Sequence, residues 1–252
     1  MTLWRLEWLR LVRTKRWIAL LGVYVLFGFI GPLTARYLSE IISLAGGEFE
    51  GAIIELPPPV PADGLAQYVS NAAQIGTLVA VVVAAGALAF DAIPEMGVFL
   101  RTRVRSLWGI LAPRLVVTTV AVVGAFLTGA LAAWYETWIL IGSPDTGGVL
   151  VGMVYGSLFL VFVVSLVAAA ASRANSVLGT VLASVVVLLL MPVVGSIGQL
   201  GEWLPTHLAG ALAALPAGEV VGSDYLAAIA VTIAASAALL WLSVRQARRR
   251  EL

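Results

Sequence analysis

The sequence predicts an all-α, polytopic membrane protein with six transmembrane helices and an N-terminal amphipathic interfacial helix. Of its 252 residues, 61% are hydrophobic and only 12% are charged, whereas a globular domain carries about a quarter of its residues as charges. A soluble fold of this size cannot bury so much apolar surface, which excludes a water-soluble enzyme, a disordered chain and a nucleic-acid binder. With no cysteine and one histidine, disulfides, thiol nucleophiles and multi-histidine metal sites are also excluded.

Six apolar stretches have the length of about 20 residues that a helix needs to cross a bilayer. Ionisable residues avoid their centres, and Arg114 stands one turn inside the third. The runs do not alternate as the strands of a membrane β-barrel would. The predicted spans, within the transmembrane domain 17–244, are Trp17–Ala35, Val69–Phe90, Ile110–Ala133, Val149–Ala171, Val177–Gln199 and Tyr225–Val244.

The basic residues predict the orientation of these spans. With six crossings, 14 of the 15 basic residues fall on one side, and only Arg36 falls on the other. Under the positive-inside rule both termini are then cytoplasmic, which predicts a multi-pass protein of the plasma membrane with a basic cytoplasmic tail over residues 245–252. An odd number of crossings would split the arginine clusters across the membrane.

Residues 1–16 have the pattern of an interfacial helix. Trp4 and Trp8 share a face with two further apolar residues, while Arg10 and Arg13 occupy other positions. Tryptophan and arginine on a short helix suit the lipid headgroup layer, so membrane lipid is an expected partner. The alternative is a positive flank that only fixes topology.

The segments predicted on the outer side differ in character. Prolines 57–59 and Pro61 predict an extended outer loop over residues 36–68. The segment 200–224 is broken by Pro205 and Pro216, too short to cross and too apolar for an ordinary loop. A re-entrant or interface-lying segment is therefore the prediction there.

The cytoplasmic loop 91–114 is basic and partly amphipathic. Phe99, Leu100, Val104, Leu107 and Trp108 can form one helical face while arginines project from the rest. One interpretation is that these arginines only fix topology. The other is a docking helix for a soluble cytoplasmic partner.

In this loop the sequence resembles the permease subunits of ATP-binding-cassette (ABC) exporters of the second type. Glu95–Gly97 matches an acid-x-Gly element, Thr102–Ser106 resembles the turn that follows an apolar run, and Arg114 resembles a basic residue opening span three. The sequence departs from the family pattern in having no proline between Arg103 and Val104. The resemblance implies that the segment docks on the ATPase through Glu95, Gly97, Phe99, Leu100, Arg101, Arg103 and Arg105.

The same resemblance implies a dimer with a second permease copy or a homologous permease, and two cytoplasmic ABC ATPase subunits that hold ATP and magnesium. The chain itself is expected to be no enzyme and to carry no cofactor. Lys15, its only lysine, lies outside any Gly-Lys-Ser/Thr phosphate-binding loop. The expected function is export of a hydrophobic or amphiphilic substrate.

Three alternatives belong to other functional classes. A proton- or sodium-coupled secondary transporter would normally keep acids or histidines at mid-membrane, and the predicted spans have none there. An intramembrane serine hydrolase would need a serine beside His207. A membrane scaffold would use small residues at four-residue spacing, such as Ala80 and Ala84, for close helix contact.

Overall fold

The all-α prediction is confirmed by a computed structural model, which describes residues 3–45, 57–89, 107–174 and 176–249. In these ranges every regular element is helical. Six of the helices are long and apolar enough to cross a membrane. The protein is therefore a multi-pass membrane protein.

Ten α-helices form the described chain. In chain order they are α1 (Leu3–Arg13), α2 (Arg16–Ala45), α3 (Pro61–Asn71), α4 (Thr77–Leu88), α5 (Leu107–Leu140), α6 (Thr146–Ala171), α7 (Val177–Gly195), α8 (Pro205–Ala209), α9 (Ala211–Ala217) and α10 (Leu226–Arg249). A π-helical turn (Ala72–Gly76) joins α3 to α4, and 3-10 turns occupy Gly198–Trp203 and Gly222–Tyr225.

The region predicted as an extended outer loop, 36–68, is helical at both of its ends. Helix α2 continues to Ala45, and α3 begins at Pro61. A proline is tolerated in the first turn of a helix because its missing N–H would have no intrahelical partner there. The Val60 amide donates to the Asp63 carboxylate at 2.8 Å, which satisfies the helix start. The second span accordingly begins eight residues before the predicted Val69.

A π-helical turn interrupts this second span. At its end the Thr77 hydroxyl donates to the carbonyl oxygen of Ala72 at 3.2 Å, so the side chain helps to satisfy backbone that the wider turn displaces. Hydrogen bonding of this kind is required because lipid offers the backbone no partner. Helices α3 and α4 therefore form one irregular span.

Helices α2 and α5 pack backbone to backbone through two glycines. A Cβ atom at Gly28 would lie 2.5 Å from the Gly129 carbonyl oxygen, and one at Gly129 would lie 2.4 Å from the Tyr24 carbonyl oxygen. Only a residue without a side chain allows this approach. Among the six candidate spans, α6 is the most enclosed, with 61% of its apolar window buried, against 11% for α7. Helix α6 is thus central and α7 peripheral.

The segment predicted as re-entrant forms two short helices, α8 and α9, of five and seven residues. Leu208 and Leu212 are fully buried there. A Cβ atom at Gly152 of α6 would lie 2.5 Å from the Leu212 Cα, so the absent side chain lets α9 pack directly on α6. Since α6 begins near this contact, the short helices cover the end of the bundle opposite the start of α5.

The glycine contact between α2 and α5 predicts a position-specific cost of adding one methyl group. Gly129→Ala should lower the free energy of unfolding by about 1–3 kcal/mol through overpacking. Gly124→Ala on the same helix should be neutral or stabilising, since nothing lies within 4 Å of its Cβ position and alanine favours helix by about 1 kcal/mol. Thermal unfolding of both purified variants in detergent measures this, and equal stabilities would contradict the described packing.

Candidate functional site

The seven residues predicted to dock an ATPase lie outside the described part of the chain. They are Glu95, Gly97, Phe99, Leu100, Arg101, Arg103 and Arg105. The described chain stops at residue 89, just after α4 ends at Leu88, and resumes where α5 begins at Leu107. The two helices that the loop connects, and α1 which packs on α5, are therefore the described surroundings of this segment.

Helix α1 presents its tryptophans outward and an acid inward. Trp4 and Trp8 each expose 50% of their surface, and Arg13 is exposed. Glu7 is only 7% exposed, and Arg10 is partly buried. A helix that lies along the bundle at a membrane surface would place its apolar, outward residues among lipids. Its inward face instead carries charge, which requires a partner in the protein.

That partner is Arg114 of α5. Its Nε atom donates to Glu7 Oε1 at 2.7 Å, and the arginine is only 2% exposed. The other carboxylate oxygen of Glu7 lies 3.7 Å from Arg10 Nη1. A buried ion pair of this kind costs several kcal/mol in stability when one partner is removed, because the remaining charge is left unpaired in an apolar place. The pair therefore fixes α1 against the start of α5.

A sharp turn at Lys15 directs α1 back onto the bundle. Lys15 has a φ of 56°, in the left-handed region that non-glycine residues rarely occupy. The Thr14 hydroxyl donates to the Arg10 carbonyl oxygen at 2.8 Å, and the Lys15 amide donates to the Val12 carbonyl oxygen at 3.1 Å. These bonds end α1 just before α2 begins, so the first two helices can point in different directions.

A second polar group lies in the bundle interior, around the π-helical turn. Tyr68 donates its hydroxyl to the Phe126 carbonyl oxygen at 2.8 Å. Tyr24 packs edge-on against Phe126, with ring centroids 6.0 Å apart, and its buried hydroxyl makes no hydrogen bond within the described residues. A Cβ atom at Gly76 would lie 2.7 Å from the Tyr24 ring. Glycine at the end of the π turn is therefore what admits this tyrosine.

His207 and the serines of the membrane helices, which a serine hydrolase would have to use, make the contacts of packing residues. His207 stacks on Tyr225 with ring centroids 4.5 Å apart. Ser157, Ser165 and Ser184 each donate a hydroxyl to the carbonyl oxygen four residues earlier on their own helix. Such bonds satisfy a hydroxyl inside a membrane helix, so the described geometry gives the hydrolase alternative no support.

Comparisons with known proteins do not assign the chain to a family. No protein-family model, no curated protein and no solved structure matches it. Within the described residues there is also no group of three or more histidine, cysteine or acidic side chains that could hold a metal ion. The function is therefore inferred from the sequence and from the contacts within the described residues.

The sequence reasoning identified one half of the buried ion pair. The sequence predicts Arg114 as a basic residue that opens the third span, but it does not single out Glu7 as the partner of Arg114. A signal for Glu7 existed: it is the only acid in a helix otherwise built from apolar and basic residues. An acid kept in such a helix indicates a specific partner.

The buried ion pair predicts strongly non-additive mutations. Glu7→Leu should lower the free energy of unfolding by about 3–5 kcal/mol, because it removes the carboxylate that pairs with the buried Arg114 guanidinium. The double variant with Arg114→Leu should recover much of that loss. Arg13→Leu, on the exposed side of the same helix, is the matched control and should change stability by about 0.5 kcal/mol or less. Additive single and double changes would show that the two side chains do not interact.

Proposed function

We propose that this chain is the membrane-spanning permease subunit of an ABC exporter, moving a hydrophobic or amphiphilic substrate. ATP hydrolysis, with its magnesium, takes place on separate cytoplasmic ATPase subunits. The permease pairs with a second copy of itself or with a homologous permease. It lies in the plasma membrane with both termini in the cytoplasm, an orientation supported by the distribution of arginines along the sequence.

The observation that carries the proposal is the buried pair between Glu7 and Arg114. It fastens an amphipathic helix to α5 within two turns of the 90–106 segment, where the sequence resembles an ATPase-docking loop. A force applied to that segment would act on α1 and α5 together, because separating them exposes or unpairs two buried charges. Such a braced end suits a protein whose movement is driven by a soluble partner.

The apolar outer faces of the peripheral helices support a permease that works as a pair. Leu178, Leu182 and Leu189 on α7 are each more than half exposed. These faces can contact lipid or a second bundle. A cavity between two such bundles would be mainly apolar, which favours an amphiphilic or lipid-like substrate.

The docking proposal is tested by reversing the loop charges. Replacing Arg101, Arg103 and Arg105 together by Glu should release an ATPase that co-purifies with the wild-type protein at physiological salt, because the arginines would meet acidic residues on the ATPase. Co-purified ATPase, identified by mass spectrometry and by ATP hydrolysis, is the measurement.

The control makes the same change of charge at three arginines near the C-terminus. Arg245→Glu, Arg248→Glu and Arg249→Glu, made together in the C-terminal region, should leave the complex intact. Survival of the complex in the loop variant would overturn the docking assignment. A neighbouring reading frame without a nucleotide-binding motif would instead favour the scaffold or the secondary transporter.

A further inference from the structure

We infer that a cavity beside the Glu7–Arg114 pair is a binding site for a phosphate oxyanion, and that the headgroup of an anionic phospholipid is the natural source. The cavity lies where α1 meets the start of α5, the beginning of α2 and the end of α4. This site does not depend on the proposed transport function.

Among the described residues, the charges around the cavity do not balance. Its charged lining residues are Glu7, Arg10, Arg16 and Arg114. The carboxylate of Glu7 is engaged by Arg114 through the 2.7 Å hydrogen bond. Arg10 and Arg16 then remain as positive charge at a partly buried place, where guanidinium groups are poorly solvated and attract an anion strongly.

The cavity has room for one oxygen of an oxyanion, and a hydrogen-bond donor lies beside it. Its volume is about 20 Å³, enough for one group the size of a water molecule or a phosphate oxygen. The Nη1 atom of Arg10 is buried and makes no hydrogen bond within the described residues, although it lies 3.7 Å from Glu7 Oε2. A buried donor left without an acceptor is unfavourable, because it has lost its hydrogen bonds to water and gained none in return. A phosphate oxygen in the cavity would supply that acceptor.

Arg16 is held beside the cavity by the shape of α4. At Gly86, a Cβ atom would lie 3.1 Å from the Cζ, Nη1 and Nη2 atoms of the Arg16 guanidinium. The absent side chain thus lets the guanidinium lie flat against the helix end. This packing fixes the direction of a planar group that can donate two parallel hydrogen bonds to a phosphate.

The surroundings favour a lipid headgroup over a soluble phosphate. Trp4 and Trp8 on the same helix are half exposed, as expected for side chains in the headgroup layer. Arg16 begins the first candidate span, so the cluster lies at the level where lipid phosphates are concentrated. Anionic headgroups are attracted to arginines at this level by their opposite charge.

The test uses the purified full-length protein in detergent with three additions: short-chain phosphatidylglycerol, short-chain phosphatidylcholine or inorganic phosphate. Native mass spectrometry counts retained lipid, and thermal unfolding reports stabilisation. We expect phosphatidylglycerol to stabilise most and to remain bound. Equal stabilisation by inorganic phosphate would support the oxyanion site but assign it to free phosphate. No preference among the three additions would overturn the proposal.

Variants separate a built site from general attraction by positive charge. Arg10→Gln and Arg16→Gln should each weaken phosphatidylglycerol binding about tenfold, the loss expected for one charged hydrogen bond. Gly86→Val keeps every charge but displaces the Arg16 guanidinium, so it should weaken binding similarly.

Arg13→Gln is the control, because it removes the same charge from the exposed side of α1. The lipid-induced shift is measured against each variant's own lipid-free unfolding temperature, so a loss of fold stability alone does not imitate a loss of binding. The proposal fails if the Arg13 variant loses as much affinity as the Arg10 variant, or if Gly86→Val binds like the wild type.

Discussion

A charged side chain within a membrane helix must have a partner, and in this protein that requirement organises one end of the bundle. Arg114 lies one turn inside the apolar part of α5 and is almost fully buried. Its ion pair with Glu7 crosses 107 residues of sequence. This contact holds α1 against the start of α5, and the left-handed turn at Lys15 gives the chain the change of direction that the contact requires.

The rest of the bundle depends on close backbone contact in place of charge. Lipid is as apolar as leucine, so helices in a membrane gain little from burying apolar side chains and associate through tight packing. Glycine provides that packing at several places, among them Gly28 with Gly129 between α2 and α5 and Gly152 between α6 and α9. The end with the ion pair and the end with the short helices are thus held by different interactions.

Hydropathy and length predicted the number of spans, because a continuous apolar run has few other stable structures. Hydropathy and length predicted the ends of the helices less accurately than their number. Proline at position 61 was read as stopping a helix, although the same residue begins α3, since its chemistry suits a first turn as well as a break. Helix α2 also extends to Ala45, past the predicted end at Ala35, because Arg36 and Glu40 interrupt the apolar run and hydropathy does not show that the helix continues beyond them.

The features of the candidate site also differ in how far the sequence predicts them. The exposed tryptophans and arginines of α1 follow from its amphipathic pattern, which depends only on local spacing. The inward placement of Glu7 does not follow from this pattern, because it is decided by Arg114 on another helix. A local sequence pattern likewise does not predict the position of the Tyr24 hydroxyl or the π-helical turn beside it. Both arise from the fit between α2 and the irregular second span.

Under the proposed function, the irregular second span has a mechanical consequence. The 90–106 segment is joined to α4 on one side and to α5 on the other, and α5 is braced by the ion pair. Under that function, movement of the loop would act on both helices, and on α1 through the ion pair with α5. Between α4 and α3 lies the π-helical turn, the kind of distortion that often marks a functional site within a helix. Tyr24, whose hydroxyl makes no hydrogen bond within the described residues, packs against Gly76 at the end of that turn, so a change in the turn would also change the environment of this hydroxyl. Under the proposed function we therefore expect α1 and α5 to move together, while the second span bends at its π-helical turn.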